Sequence, residues 1–358
     1  MNHRIADFEL MNHTRIEMNK KQVLPGDTGI EEAVRATEGC PILFEVVPPK
    51  LDQERQRFRR HSSYLEQLFD RLRIFGINLP EIHDENQKGD GGKRRSEFAP
   101  RVSPREYARK LGEIFPVRYL VNRVTVQAPP AEQEEWLLDT YHEYGLDTVV
   151  LVGGESGEYD YPGPSVPEGN RLVKEYLNRG ERKQGDPLNA PTRLSVGNIS
   201  IPTRRREDFD EPERMLRKVR AGADFFTTQI VLDMQSPGKL LEDFGRLIDA
   251  EGITPPAIFW SFTPISEQKD VDFLRWLGVR IPEHVEERLL GSPDPVAASI
   301  DWAQAIWDRL QKINRRLPVD IPLGVNISVM GLRNFQHGIH LAEAVSLSEV
   351  PQEGVGDA

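Results

Sequence analysis

Cys40 is the lone cysteine in 358 residues, which excludes an intramolecular disulfide framework and a cysteine zinc cluster. No apolar run approaches the roughly 20 residues that a membrane-spanning helix needs. The opening residues Met1-Asn2-His3-Arg4-Ile5-Ala6-Asp7 hold no continuous apolar segment of a secretory signal. Excess positive charge is missing as well: 46 Lys and Arg stand against 57 Asp and Glu, a net charge of -11, which argues against general nucleic-acid binding. The basic runs Lys93-Arg94-Arg95 and Arg204-Arg205-Arg206 are followed by or interleaved with acidic residues. They read as solvated loops, with a phosphate contact as the alternative. The expectation is a cytoplasmic protein with no nucleic-acid and no membrane partner, and with homo-oligomerisation left open.

A Gly-rich dinucleotide fingerprint is also absent. After the first strand-like run a doubly wound sheet would carry one, and here Pro48-Pro49-Lys50 stands in its place. Gly89-Asp90-Gly91-Gly92-Lys93 only superficially resembles a phosphate loop, since no Ser or Thr follows Lys93. His337 and His340 share a helical face without a third ligand nearby, so no metal is expected.

What is present is an alternation. Strand-like runs are predicted at 42–47, 76–79, 118–126, 148–152, 194–199, 225–232, 257–262 and 322–329. Helical patterns lie between them, for example Leu65, Leu68, Leu72 and Phe75 at steps of three and four, and Val296, Ile300, Ala303, Trp307 and Leu310 on a later segment. Eight strands alternating with helices in one series predict a single α/β (β/α)8 TIM barrel. Residues 1–39 read as an N-terminal arm with a short helix near 29–37, residues 40–347 as the barrel, and residues 348–358 as a short disordered tail. Long insertions after the second and fourth strands are expected at the active-site rim.

Two strands carry a polar residue inside an apolar run. In Ile42-Leu43-Phe44-Glu45-Val46-Val47, burying Glu45 as an anion is costly, so it is expected to be protonated or paired. A neutral carboxyl is suited to protonating a leaving nitrogen or oxygen. The alternative is a carboxylate on the wet face of an edge strand. In Phe225-Phe226-Thr227-Thr228-Gln229-Ile230-Val231-Leu232, Gln229 offers an amide able to pair with an amide-like ring edge such as a pterin, or to serve as a structural hydrogen-bonder. Phe259, Trp260 and Phe262 read as barrel core, with stacking on a planar cofactor as the alternative.

Three segments in this order resemble methylenetetrahydrofolate reductases: Phe44-Glu45-Val46-Val47-Pro48-Pro49-Lys50, the stretch from Gly222 to Asp233, and Val279-Arg280-Ile281-Pro282. The resemblance spans about Pro41 to Val345. It implies a flavin barrel that reduces 5,10-methylenetetrahydrofolate to 5-methyltetrahydrofolate with NADH or NADPH. Glu45 would be the general acid and Gln229 the pterin anchor, with Asp233, Gln268 and Arg333 as further candidates for the folate and nicotinamide pocket. The family's flavin motifs are altered here. Its Arg-Gly-Asp after the fourth strand is replaced by Val152-Gly153-Gly154-Glu155-Ser156-Gly157, its Thr-Tyr-Gly after the second by Pro80-Glu81-Ile82, and its third-strand His-Leu-Thr falls near Asn122-Arg123-Val124. FAD would then be held by Asn122, Arg123, Gly153, Gly154, Glu155, Asn198 and Arg204, or hydride would pass from the nicotinamide directly to folate. A non-redox folate-binding protein that has lost flavin is the second reading, and an unrelated barrel lyase using Glu45 the third.

Overall fold

A computed structural model of the protein describes residues 29–83, 98–154, 160–204 and 210–347. The 348–358 tail, Glu155, the Gly89–Lys93 loop, Lys93-Arg94-Arg95 and Arg205-Arg206 lie outside the described residues. Eight parallel strands close into a barrel in chain order: β1 (Ile42–Glu45), β2 (Gly76–Leu79), β3 (Arg118–Val124), β4 (Thr148–Val152), β5 (Ser195–Ser200), β6 (Phe225–Thr228), β7 (Ala257–Phe262) and β8 (Leu323–Ile327). The seam is made by β1 and β8, with Ile42 opposite Val325 and Phe44 opposite Ile327. Around the barrel run α1 (Ile30–Arg35), α2 (Glu54–Arg71), α3 (Pro104–Gly112), α4 (Pro130–His142), α5 (Val166–Arg171), α6 (Glu211–Arg220), α7 (Ser236–Glu251), α8 (Gln268–Trp276), α9 (Glu283–Leu290), α10 (Pro295–Asn314) and α11 (Phe335–Ser346). Among the described residues no helix is long and apolar enough to cross a membrane.

The helices begin where their sequences supply a start. Proline occupies the first turn of α3, α4, α5, α6, α7 and α10, where its missing N–H is not needed. The expected helix after β4 is broken: α5 passes into a π-helical turn at Leu172–Tyr176 and a 3-10 turn at Leu177–Arg179.

Strand alternation sorts side chains into two cores. Ile42, Phe44, Ile77, Leu79, Val121, Val149, Phe226, Trp260, Val325 and Ile327 face outward and pack with the helices. Leu43, Leu120, Val150, Phe225, Ala257 and Phe259 fill the interior. Two inward glycines make room for the aromatic rings. A Cβ on Gly197 would lie 2.2 Å from the Phe225 ring, and one on Gly324 2.6 Å from the Phe259 ring.

The short helix expected within the N-terminal arm is α1, and it packs against the barrel. Ile30 and Val34 of α1 join the interior cluster from below, and Arg35 pairs with Asp320 ahead of β8. The lower end is thereby closed by apolar contact. Trp260 and Phe262 belong to the outer core and Phe259 to the lower interior, so none of the three is available for stacking at the mouth.

Candidate active site

The parity that turns Leu43 inward turns Glu45 inward too, as the last residue of β1 at the C-terminal end of the barrel. Its Oε2 accepts from Ser328 Oγ at 3.2 Å, Asn78 Nδ2 at 3.3 Å and Asn326 Nδ2 at 3.5 Å. Asn326 also donates to Ser261 Oγ at 3.0 Å and Ser328 Oγ at 3.2 Å. Glu45 keeps some contact with the mouth, yet protein atoms surround its carboxyl. Burial pushes its pKa above the usual carboxylate range, and the bonds from Asn326 and Ser328 oppose this without cancelling it. Glu45 has no cationic partner among the described residues. Its Oε1 likewise has no partner there, so with Oε2 accepting from three donors Oε1 is the oxygen open to a proton when the group takes one up.

Asn78, Asn326, Ser261 and Ser328 were not anticipated from the sequence. The signal was available: Asn78 sits between Ile77 and Leu79, and Asn326 between Val325 and Ile327. Each is a polar residue at the inward position of a short apolar strand.

Gln229 follows β6, which ends at Thr228 rather than at Leu232. Its backbone N–H donates to Ser200 O at 2.7 Å, its Nε2 to Leu277 O at 3.2 Å, and its Oε1 accepts from Ile230 N at 2.9 Å. The amide thus ties the β6 exit to the end of α8. Asp233 sits at the start of α7, accepting from Ser236 Oγ and from Gln235 N at 2.9 Å. Burial alone would raise its pKa, but these bonds and the charge of Arg280 hold it below the ordinary value. Asp233, Arg280 and Pro282 line a cavity of about 620 Å³, which brings together two of the three segments that carry the family resemblance.

Gln268 is the first residue of α8, and Arg333, on the 3-10 turn Leu332–Asn334 ahead of α11, reaches the same helix start with its side chain. Gln268 is exposed and donates to Asp272 at 3.2 Å and Glu286 at 3.0 Å. Arg333 pairs with Glu267 and with the buried Asp270. Both side chains therefore meet carboxylates of their own chain.

Among the described residues, those expected to hold FAD do not assemble into a cradle. Asn198, expected as an FAD contact, faces outward. The neighbouring Gly197 takes the inward position on β5, and Asn198 exchanges two amide bonds with Asn170 of α5 at 2.8 and 3.0 Å. Arg204 pairs with the buried Glu211 at 3.4 Å. Gly154 is covered by Tyr161, whose ring would lie 2.3 Å from an added Cβ; Gly153 lies beneath Val166, 3.4 Å from an added Cβ. Asn122 alone among the described candidates faces the upper interior with a buried, unpartnered Oδ1. Beside it, Arg123 turns outward to Glu81 at 2.9 Å and Gln133 at 2.8 Å and stacks over Trp136. Glu81 also accepts from Val124 N at 2.7 Å and meets His83 at 3.0 Å. Burial opposes its ionisation, but His83, Arg123 and Val124 together lower its pKa. Two positions matching the family's flavin motifs are thus engaged in a partly buried ion pair, and the described residues do not fit FAD.

The family model described as methylenetetrahydrofolate reductase matches residues 201–316, which include Gln229, Asp233 and Gln268 but not Glu45. No curated protein matches the chain. Among solved structures, an uncharacterized protein from Clostridium thermocellum that binds two copies of 5-methyl-5,6,7,8-tetrahydrofolic acid has a TM-score of 0.68 at 19% identity, covering 88% of this chain and 99% of its own. N-(5'-phosphoribosyl)anthranilate isomerase from Pyrococcus furiosus has a TM-score of 0.39 at 10% identity, covering 85% of this chain and 98% of its own. Over residues 201–316, about a third of its length, the chain is similar to the methylenetetrahydrofolate reductase family.

Proposed function

We propose that the protein reduces 5,10-methylenetetrahydrofolate to 5-methyltetrahydrofolate at the C-terminal mouth of the barrel, with Glu45 as the proton donor. The observation that carries this reading is the Glu45 carboxyl, held by three neutral donors on one oxygen with the other unengaged among the described residues. Opening the five-membered ring requires a proton on a poorly basic nitrogen. As that proton leaves Glu45 Oε1, the carbon–nitrogen bond breaks, its electron pair stays on the nitrogen, and the bridging carbon becomes an iminium that accepts hydride. NADH or NADPH, when bound, supplies that hydride.

Gln229 is assigned to the pterin, with one amide hydrogen beyond its bond to Leu277. Asp233, Gln268 and Arg333 are assigned to the outer pocket, where Asp233 already shares a cavity with Arg280. The family match and the folate bound by the Clostridium thermocellum protein support a reduced folate as ligand. No step is routed through flavin, because the residues described here do not fit it.

The test is nucleotide oxidation by the purified protein, followed with NADH and with NADPH in the presence and absence of 5,10-methylenetetrahydrofolate. Folate-dependent oxidation that Glu45→Gln removes is the expected result. Folate-independent behaviour, or near-normal turnover by Glu45→Gln, would sink the assignment. A non-redox folate-binding role is the second reading, favoured by the Glu81–Arg123 ion pair at former flavin positions. Its signature is folate binding without oxidation of either nucleotide.

A further inference from the structure

Positive charge gathers at one place in a chain of net charge -11. The cavity of about 620 Å³ beyond β6 is lined by Lys239, Arg280, His284 and Arg309. They come from the first turn of α7, the turn between α8 and α9, α9 itself and α10. Arg309 reaches across to α7, where its Nε lies 3.5 Å from the place of a Cβ on Gly238. Among the described residues, Asp233 is the one acid of the lining. Its Oδ1 accepts from Gln235 N and its Oδ2 from Ser236 Oγ, which spends the carboxylate on the start of α7.

The side chains of Arg280, His284 and Arg309 have no hydrogen-bond or ion-pair partner among the described residues. Lys239 meets Asp243 at 3.7 Å, in an exposed pair worth little. Cations gathered without counter-charge repel one another, and an anion entering among them relieves that repulsion. The volume falls within the range of about 300–1,000 Å³ typical of small-molecule sites, so there is room for more than a lone ion. Met234 and Pro282 add apolar lining.

We propose that this cavity takes the adenosine end of NADPH, with Lys239, His284 and Arg309 on its 2′-phosphate, and so selects NADPH over NADH. The inference rests on the reductase reading above and names the nucleotide which that reading leaves open. A phosphate monoester is close to a dianion with three acceptor oxygens. Donors arriving from three separate helices suit it better than they suit a planar carboxylate. NADH offers a neutral 2′-hydroxyl instead. A carboxylate is the usual partner of that hydroxyl, and Asp233 is already engaged through both oxygens.

The experiment is fluorescence titration of the full chain with NADPH and with NADH, without folate, and displacement of NADPH by 2′,5′-ADP. It is repeated with Lys239→Gln and Arg309→Gln. Wild type is expected to bind NADPH about tenfold or more tighter than NADH, with the preference narrowing as salt is added. Each variant is expected to weaken NADPH and 2′,5′-ADP while leaving NADH unchanged. Both side chains are exposed, so unchanged NADH binding also reports an intact fold. Equal binding of the two nucleotides by wild type, preference for NADH, or variants that weaken both nucleotides alike would overturn the selection and leave the reductase reading standing. Failure of wild type to bind either nucleotide would overturn the reductase reading itself, and this inference with it.

Discussion

Ser328 donates its hydroxyl to Glu45 Oε2 at 3.2 Å, joining the exit of β8 to the end of β1 across 283 positions of chain. That bond works against the effect of burial on Glu45. Removing it by Ser328→Ala is expected to raise the Glu45 pKa further. A general acid acts while protonated, so the alkaline limb of kcat/KM should move to higher pH. An alkaline limb that stays in place or moves to lower pH would contradict this role for Ser328.

Glu45→Gln should lower turnover by about 10²- to 10⁴-fold, the usual contribution of a positioned acid. Its effect on stability has a definite sign. The folded state holds the Glu45 proton more tightly than the unfolded chain, so the contribution of Glu45 to stability falls as pH rises above the ordinary carboxylate value toward the raised one. The glutamine carries no such titration. Melting curves should nearly coincide near pH 4 and separate in favour of Glu45→Gln toward pH 8.

Arg123 and Glu81 are each 14% exposed at the side chain. Truncating one partner strands the other, so Arg123→Met should cost about 3 kcal/mol in denaturant unfolding. Adding Glu81→Gln to that variant should recover much of the loss, because it removes the stranded charge. A double variant less stable than Arg123→Met would show that the ion pair is not the source of the cost.

His61 is buried against Tyr107, with Nδ1 2.6 Å from the phenol oxygen. Burial, with smaller help from Arg57 and Arg60, lowers its pKa to about 4. The unfolded chain therefore binds this proton first as pH falls. Stability linked to His61 is present above about 6.5 and lost toward about 4, on the order of 3 kcal/mol in full. His61→Asn should flatten that part of the acid unfolding profile.

Gly197→Ala would drive a methyl into the Phe225 ring. An overpacked interior of this kind costs about 1–3 kcal/mol, readable as a lower urea midpoint with unchanged slope. Gly145→Ala, in an open turn at φ 65 with no atom within 4 Å of the added Cβ, tests left-handed strain alone.

Eight strands were legible because each is a short apolar run bounded by Gly, Pro or charge, and a parallel barrel buries both strand faces. Glu45 was legible for the same reason, as a polar exception inside such a run. Asn198 was misassigned because apolar flanks do not reveal which parity faces inward. The clue lay in Gly197, whose missing side chain makes room for Phe225 across the barrel. The exits of β6 and β8 proved shorter than their apolar runs, although Val231 and Val329 stay buried beyond the strand ends and Val231 N still donates to Ser261 O of β7 at 2.9 Å. The Glu81–Arg123 pair joins residues 42 positions apart, a distance over which local pattern carries no information.

The β1–β8 seam and the Arg35–Asp320 pair bind the start of the described chain to its end. Loop closure of that span must be completed before either contact contributes, which places the seam among the slow events of folding. During synthesis β1 emerges early and holds an unpaired edge until β8 follows it, some 280 residues later. Until then, that edge is the part of the chain most open to pairing with the wrong strand.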